Sequence, residues 1–141
     1  MIVDYIKFKK LPLSSDMALF FIHGNPRNIS NELEHDILNF YKKLDYKQQT
    51  YVIDDDSQTD IINNSYFEQS LFDDKKIIIL NIVSNSIPKN LKVFIEAVIT
   101  NKNQNRIIIK LDRQSSSFKN TKFYKHIGSN SCLIELYELK G

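Results

Sequence analysis

A chain of 141 residues, 42% hydrophobic and 26% charged, has the length of one single-core domain and the composition of a globular one. Its 19 basic and 17 acidic side chains leave a net charge of only +2, which excludes the global basic field of a nucleic-acid coat or a membrane-surface protein. Any nucleic-acid contact is therefore local or lies outside this chain.

The lone Cys132 excludes an internal disulfide and a cysteine-based zinc site, and fits a reducing cytoplasm; its default role is that of a small buried apolar residue. The segment Met1-Ile2-Val3-Asp4-Tyr5-Ile6-Lys7 has neither the basic start nor the apolar run of a signal peptide. No apolar stretch approaches the roughly 20 residues needed to span a bilayer, so the expectation is a soluble, cytoplasmic protein with no membrane partner.

Ala18-Leu19-Phe20-Phe21-Ile22 is continuously apolar and stops at His23-Gly24-Asn25-Pro26, the pattern of a strand covered on both faces. Ile29, Leu33, Ile37, Tyr41 and Leu44 then recur at helical spacing, with Asn31 and Glu34 placed as a capping pair for the start. Thr50 to Ile53 reads as a second strand, Asp54-Asp55-Asp56 as its exit, and Thr59 to about Ser70 as a helix with Ile62, Tyr66 and Phe67 facing inward.

Ile77 to Val83 is the third strand. Pro88 sits near the start of a helix striped by Leu91, Phe94, Ile95 and Val98, which Asn101 to Asn105 end. Arg106 to Leu111 is the fourth strand, Ser115 to Ser117 offer caps for a short helix carrying Phe118, Phe123 and Ile127, and Cys132 to Leu136 is the fifth strand. Apolar strands separated by helical crossovers require a parallel sheet, because parallel neighbours cannot be joined by tight turns. The predicted fold is a three-layer α/β domain with a parallel five-stranded sheet and helices on both faces.

Domains of this class often bind phosphate at the turn after the first strand. A phosphate loop needs GxxxxGK[ST], whose glycines let amides wrap the phosphates and whose lysine reaches the terminal ones. Gly24 is present, but Ile29 and Ser30 stand at the second glycine and the lysine, and Ile79-Leu80-Asn81-Ile82 lacks the strand acid that holds magnesium. Arg27 remains as an anion-binding candidate. Asp54-Asp55-Asp56 reads as a solvated loop rather than a cation site, and His23, His35 and His126 lack metal-ligand spacing. Lys119, Lys122 and Lys125, interleaved with Phe118, Phe123 and Tyr124, are open to two readings: contact with phosphate or an acidic partner, or a solvated lysine face.

Between the second helix and the third strand runs Glu68-Gln69-Ser70-Leu71-Phe72-Asp73-Asp74-Lys75-Lys76. Two large apolar side chains followed at once by two acids and two lysines sit at an element boundary, available either to the chain's own core or to a partner's pocket. With Leu19-Phe20-Phe21-Ile22-His23-Gly24-Asn25-Pro26, with Gln69-Ser70-Leu71-Phe72 leading into Lys76-Ile77-Ile78-Ile79-Leu80, and with Ile107-Ile108-Ile109-Lys110-Leu111-Asp112, the chain resembles the N-terminal domain of the delta subunit of the bacterial DNA polymerase III clamp loader.

That resemblance spans nearly all of the chain and implies an AAA+-like fold (P-loop NTPase topology) without a working nucleotide site. It implies no cofactor and no activity in this domain, which would serve as a component of the DNA polymerase III holoenzyme, a nucleotidyltransferase complex. It implies that residues 1–141 are one domain of a longer protein with lid and collar domains, the latter joining other loader subunits. Its partner would be the ring-shaped sliding clamp, with primed DNA met only through the complex. By the resemblance Leu71 and Phe72 are the clamp-binding pair and Ser70 shapes the turn. Clamp-binding peptides often follow a pattern like Gln-Leu-Ser-Leu-Phe; Glu68 and Gln69 depart from its first two positions while the apolar anchors are kept. The other function the residues allow is a small nucleotide- or anion-binding enzyme domain using the Gly24 turn.

Overall fold

The computed structural model describes residues 1–68, 74–112 and 118–136. Six parallel strands form one sheet: β1 (Ile2–Asp4), β2 (Leu19–Gly24), β3 (Lys47–Ile53), β4 (Lys76–Ile82), β5 (Arg106–Leu111) and β6 (Cys132–Leu136), in the order β1-β6-β2-β5-β4-β3. Between them run α1 (Tyr5–Lys10), α2 (Arg27–Lys42), α3 (Thr59–Phe67), α4 (Lys89–Thr100) and α5 (Lys122–Asn130), with short 3-10 turns at Asp56–Gln58 and Phe118–Asn120.

The layers follow from handedness. A parallel crossover is right-handed, so the face a helix covers depends on the direction in which the chain steps along the sheet. The steps from β1 to β2 and from β2 to β3 run one way, and α1 and α2 cover one face, where Phe8, Leu33, Ile37 and Tyr41 pack on Phe20, Ile22, Ile79 and Ile108. The later steps run back, and α3, α4 and α5 cover the other face, where Ile62, Tyr66, Leu91, Phe94, Ile95 and Ile127 meet Phe21, Ile78, Leu80, Ile107 and Ile109. Burial on both faces is why these strands read as unbroken apolar runs.

The sheet has six strands where five are expected. β1 is only three residues long, with Val3 opposite Ile134 of β6, and α1 is a six-residue helix that buries Phe8 and is capped by Asp4, whose carboxylate accepts the Lys7 N–H at 2.8 Å. Both are too short to show a period. The Met1 ammonium donates to the Gly128 and Ser131 carbonyls at the end of α5, a favourable place for a positive charge.

Two local readings are corrected. α2 begins at Arg27, with Pro26 at the cap position, so Asn31 and Glu34 lie inside the helix and do not cap it. Asp54-Asp55-Asp56 is more than a solvated loop: the Asp56 carboxylate accepts the N–H groups of Asn90 and Leu91 at 3.1 and 3.2 Å, capping α4 from 34 residues away, and also the Thr59 hydroxyl. Ser115, Ser116 and Ser117 lie outside the described residues; α5 is capped by Thr121, whose hydroxyl accepts the Tyr124 N–H.

Candidate functional site

Adjacent strands β2 and β5 send their chains to opposite faces of the sheet, so a crevice opens beyond their C-terminal ends, where ligands of open parallel sheets bind. It is lined by Arg27, Asn31, Asn81, Lys110 and Asp112, with Val52, Ile82 and Val83 on its far wall. At about 230 Å³ it falls below the range of about 300–1,000 Å³ usual for ligand pockets.

This chain's own charges occupy it. Lys110, opposite Asn81 on β4 and Ile22 on β2, has an 8% exposed side chain, so its ammonium needs partners. It finds Asn31 Oδ1 at 2.5 Å and Glu34 at 3.3 Å, both on α2. Of the two residues expected to cap a helix, Glu34 therefore neutralises a buried lysine and Asn31 accepts its hydrogen bond. Arg27 reaches one carboxylate oxygen of Asp112 through Nε at 3.0 Å and Nη2 at 2.8 Å. The anion-binding candidate is thus paired with the acid at the exit of β5, and a magnesium ion beside Asn81 would face the Lys110 ammonium.

The Gly24 turn is equally committed. Gly24 has φ +114°, and a Cβ there would lie 2.3 Å from the Leu136 carbonyl oxygen of β6. Close packing of two strands requires the glycine. Only Asn25 and Pro26 separate β2 from α2, and the Ile29 and Ser30 N–H groups already bond to the Pro26 carbonyl at 3.1 Å. The residues that would wrap a phosphate form the first turn of a helix.

His23 is buried, with Phe118 and Tyr124 presenting edges at ring distances of 5.5 and 5.6 Å, and burial pushes its imidazole below the usual 6.5, with the Lys119 charge adding to the effect and Glu135 opposing it. His35 is exposed, and His126 pairs with Glu96 at 2.7 Å. Burial raises the Cys132 thiol to about 11, an unreactive core position. Among the described residues no group of three or more His, Cys, Asp or Glu is placed to hold a metal, and no helix is long and apolar enough to cross a membrane.

Lys119 belongs to the 3-10 turn, separated from Lys122 and Lys125 of α5 by the Thr121 cap. Phe118 and Tyr124 are buried in the core, and Phe123 is partly buried against the same core with the Lys92 ammonium 5.5 Å from its ring centre. They do not form a stacking platform for bases.

Ser70, Leu71 and Phe72 lie outside the described residues, but the chain on both sides of them is described. The connection leaves α3 at Phe67 and enters β4 at Lys76, at the sheet edge opposite the crevice. On the helix side, the Tyr66 carbonyl accepts Nδ2 of Asn103 at 2.9 Å and Nδ2 of Asn105 at 2.7 Å, and the Ser65 carbonyl accepts Lys76 Nζ at 3.1 Å. On the strand side, the Lys76 N–H donates to Asn105 Oδ1 at 2.9 Å, the Lys75 carbonyl accepts the Lys47 N–H, and Asp74 pairs with Lys47 at 3.0 Å. The sequence marked Asn101 to Asn105 only as a helix end; the clue to this second use was the density of asparagine, whose amide offers donor and acceptor together.

The chain is thus a parallel α/β sheet wound in this order, with the turn after β2 leading straight into a helix and the switch-point crevice filled by paired charges. Among solved structures the chain is similar to the Bacillus subtilis DNA clamp loader delta protein, with a TM-score of 0.64 at 12% sequence identity over 95% of this chain. The match takes up 41% of that protein, so the chain spans about two fifths of its length. No family model and no curated protein matches the sequence.

Proposed function

We propose that the chain is the AAA+-like N-terminal domain of a clamp-loader delta subunit, one that binds the sliding clamp through Leu71 and Phe72, with Ser70 shaping the turn, and helps to open the ring. The observation that carries this reading is the likeness of 95% of the chain to a clamp loader delta protein. The lid and collar domains, and through them the other loader subunits and primed DNA, belong to the remainder of the full-length protein. The domain itself hydrolyses nothing: Ser30 stands where the phosphate-loop lysine would be, and Lys110 and Arg27 are spent on Glu34, Asn31 and Asp112.

The energetics suit the role. Burying a Leu and a Phe is worth roughly 1.5 to 3 kcal/mol each, together about 3 to 6 kcal/mol, or two to four decades of affinity. Two such anchors can dominate an interface. Ring opening further requires that the open clamp be bound better than the closed one, since equal affinity shifts nothing.

Leu71→Ala combined with Phe72→Ala should leave the far-ultraviolet circular dichroism and the unfolding transition near those of the wild type while abolishing capture of the cognate sliding clamp in a pull-down. A double variant that unfolds, or that captures clamp as the wild type does, would show that the pair belongs to the domain's own core or that the site lies elsewhere.

A further inference from the structure

On the face of the sheet that α1 and α2 cover, the last strand is left bare. β3 turns Tyr51 and Ile53 toward the core beneath α3, so Gln48, Thr50 and Val52 turn to the α2 side, where all three are exposed. Parallel sheets are usually covered on both faces. α2 buries Leu33, Ile37 and Tyr41 over the neighbouring strands, and it is the flank of the helix, not this stripe, that borders β3.

That flank carries His35, Leu38, Asn39 and Lys42, three, four and seven positions apart and therefore on one side of the helix. Together with Tyr46, Gln48 and Ile77 they line a groove of about 370 Å³, which lies within the usual range for ligand pockets where the switch-point crevice does not. The groove has an apolar floor. Ile77, opposite Gln48 in the register of β3 and β4, is 1% exposed, and Leu38 and Tyr46 pack against the same core.

The rim is polar and holds no carboxylate. Lys42 is exposed and makes no ion pair among the described residues, and the Gln48 amide is used only in a 3.4 Å contact with the Thr50 hydroxyl. An unmatched ammonium beside two side-chain amides suits a single negative charge with oxygen acceptors, and the floor below it suits hydrocarbon.

We propose that this groove binds a small amphiphilic carboxylate, with Lys42, Asn39 and Gln48 holding the head and Leu38, Tyr46 and Ile77 taking the tail. The site is separate from the crevice, and it stands whether or not the domain binds a clamp.

The probe is octanoate, titrated into isotope-labelled protein and followed by amide chemical shifts. Saturable shifts should cluster at residues 35–48 and 77 and leave Asn81 and Asp112 of the crevice unmoved. Hexanoate should bind about tenfold more weakly, as the loss of two buried methylenes requires. Octanol and inorganic phosphate, each with half of the chemistry, should also bind at least tenfold more weakly than octanoate. Lys42→Ala should weaken octanoate about tenfold, the worth of one charged hydrogen bond, whereas Lys102→Ala, at a cleft elsewhere on the surface, should change nothing. Both lysines are exposed, so neither variant should alter the circular dichroism. Octanol binding as tightly as octanoate would overturn the recognition of an anion, and phosphate binding as tightly would overturn the role of the floor. Shifts scattered over the surface, or a loss in Lys42→Ala that Lys102→Ala matches, would reduce the site to general adsorption and end the assignment.

Discussion

At the scale of single residues the most consequential placement is a lysine in the middle of a sheet. Lys110 sits on β5 with 8% of its side chain exposed, while its partner Glu34 keeps 23%. The two halves of the pair are therefore unequal. Removing the acid leaves a buried ammonium with Asn31 alone, whereas removing the lysine leaves a carboxylate that water still reaches. Glu34→Ala should cost about 2 to 4 kcal/mol, a little under the range for a fully buried pair, and Lys110→Met less than about 1 kcal/mol, because an apolar chain of similar length suits the site. Urea denaturation of the two variants decides the matter: equal losses would mean that the pair is no more than a surface contact. The same residues show what a sequence withholds. Asn31 and Glu34 have the spacing of a capping box and sit at the right end of an amphipathic stretch, yet their partner lies 76 to 79 positions away, on a strand whose apolar run gives no hint of the face its lysine will meet.

At the scale of elements, β5 and β6 were legible to the residue and β2, β4, α2, α3 and α4 nearly so, because burial on both faces of a parallel sheet writes continuous apolar runs and a helix on that sheet writes a stripe. β1 and α1 were not legible, since three and six residues are shorter than the period that would announce them, and their stability comes from Val3 beside β6 and Phe8 in the core. Ends were set by distant groups. α4 has Pro88 at its cap position with no side-chain bond there; its first free N–H groups are taken by Asp56, from the exit of β3. Asp56→Ala should therefore destabilise the domain by about 1 to 2 kcal/mol, as loss of a helix cap does, whereas Asp54→Ala on the same exit should stay within about 0.5 kcal/mol. A triple aspartate acting only as a solvated loop would show no difference between the two in thermal unfolding. The candidate segment itself was legible as a boundary, because Leu71 and Phe72 break into charge at once; the asparagines that hold its ends were not, because hydrogen bonds between loops leave no periodic trace.

At the scale of the whole molecule, the two ends of the sheet are built differently. At the C-terminal edge, where an open α/β sheet would hold a ligand, Gly24 is pressed against Leu136, α2 starts early, and two cations are matched by two carboxylates. At the N-terminal edge, the Asn105 amide fastens both ends of an apolar connection. Under the proposed function the first end performs no chemistry and the segment at the other docks the clamp. This division makes a prediction for the intact chain. A ligand present at 100 times its dissociation constant stabilises a one-site protein by about 2.7 kcal/mol, which for a domain of this size raises the melting temperature by roughly 10 °C. Millimolar ATP with magnesium should leave the transition within about 1 °C of its position, because the backbone that would wrap the phosphates is helical and the metal's place faces Lys110. The purified sliding clamp, titrated over the same range, should raise it, and Leu71→Ala with Phe72→Ala should cancel that rise. A melting temperature that climbs with nucleotide, and that does so less in Lys110→Met, would return the function to the crevice.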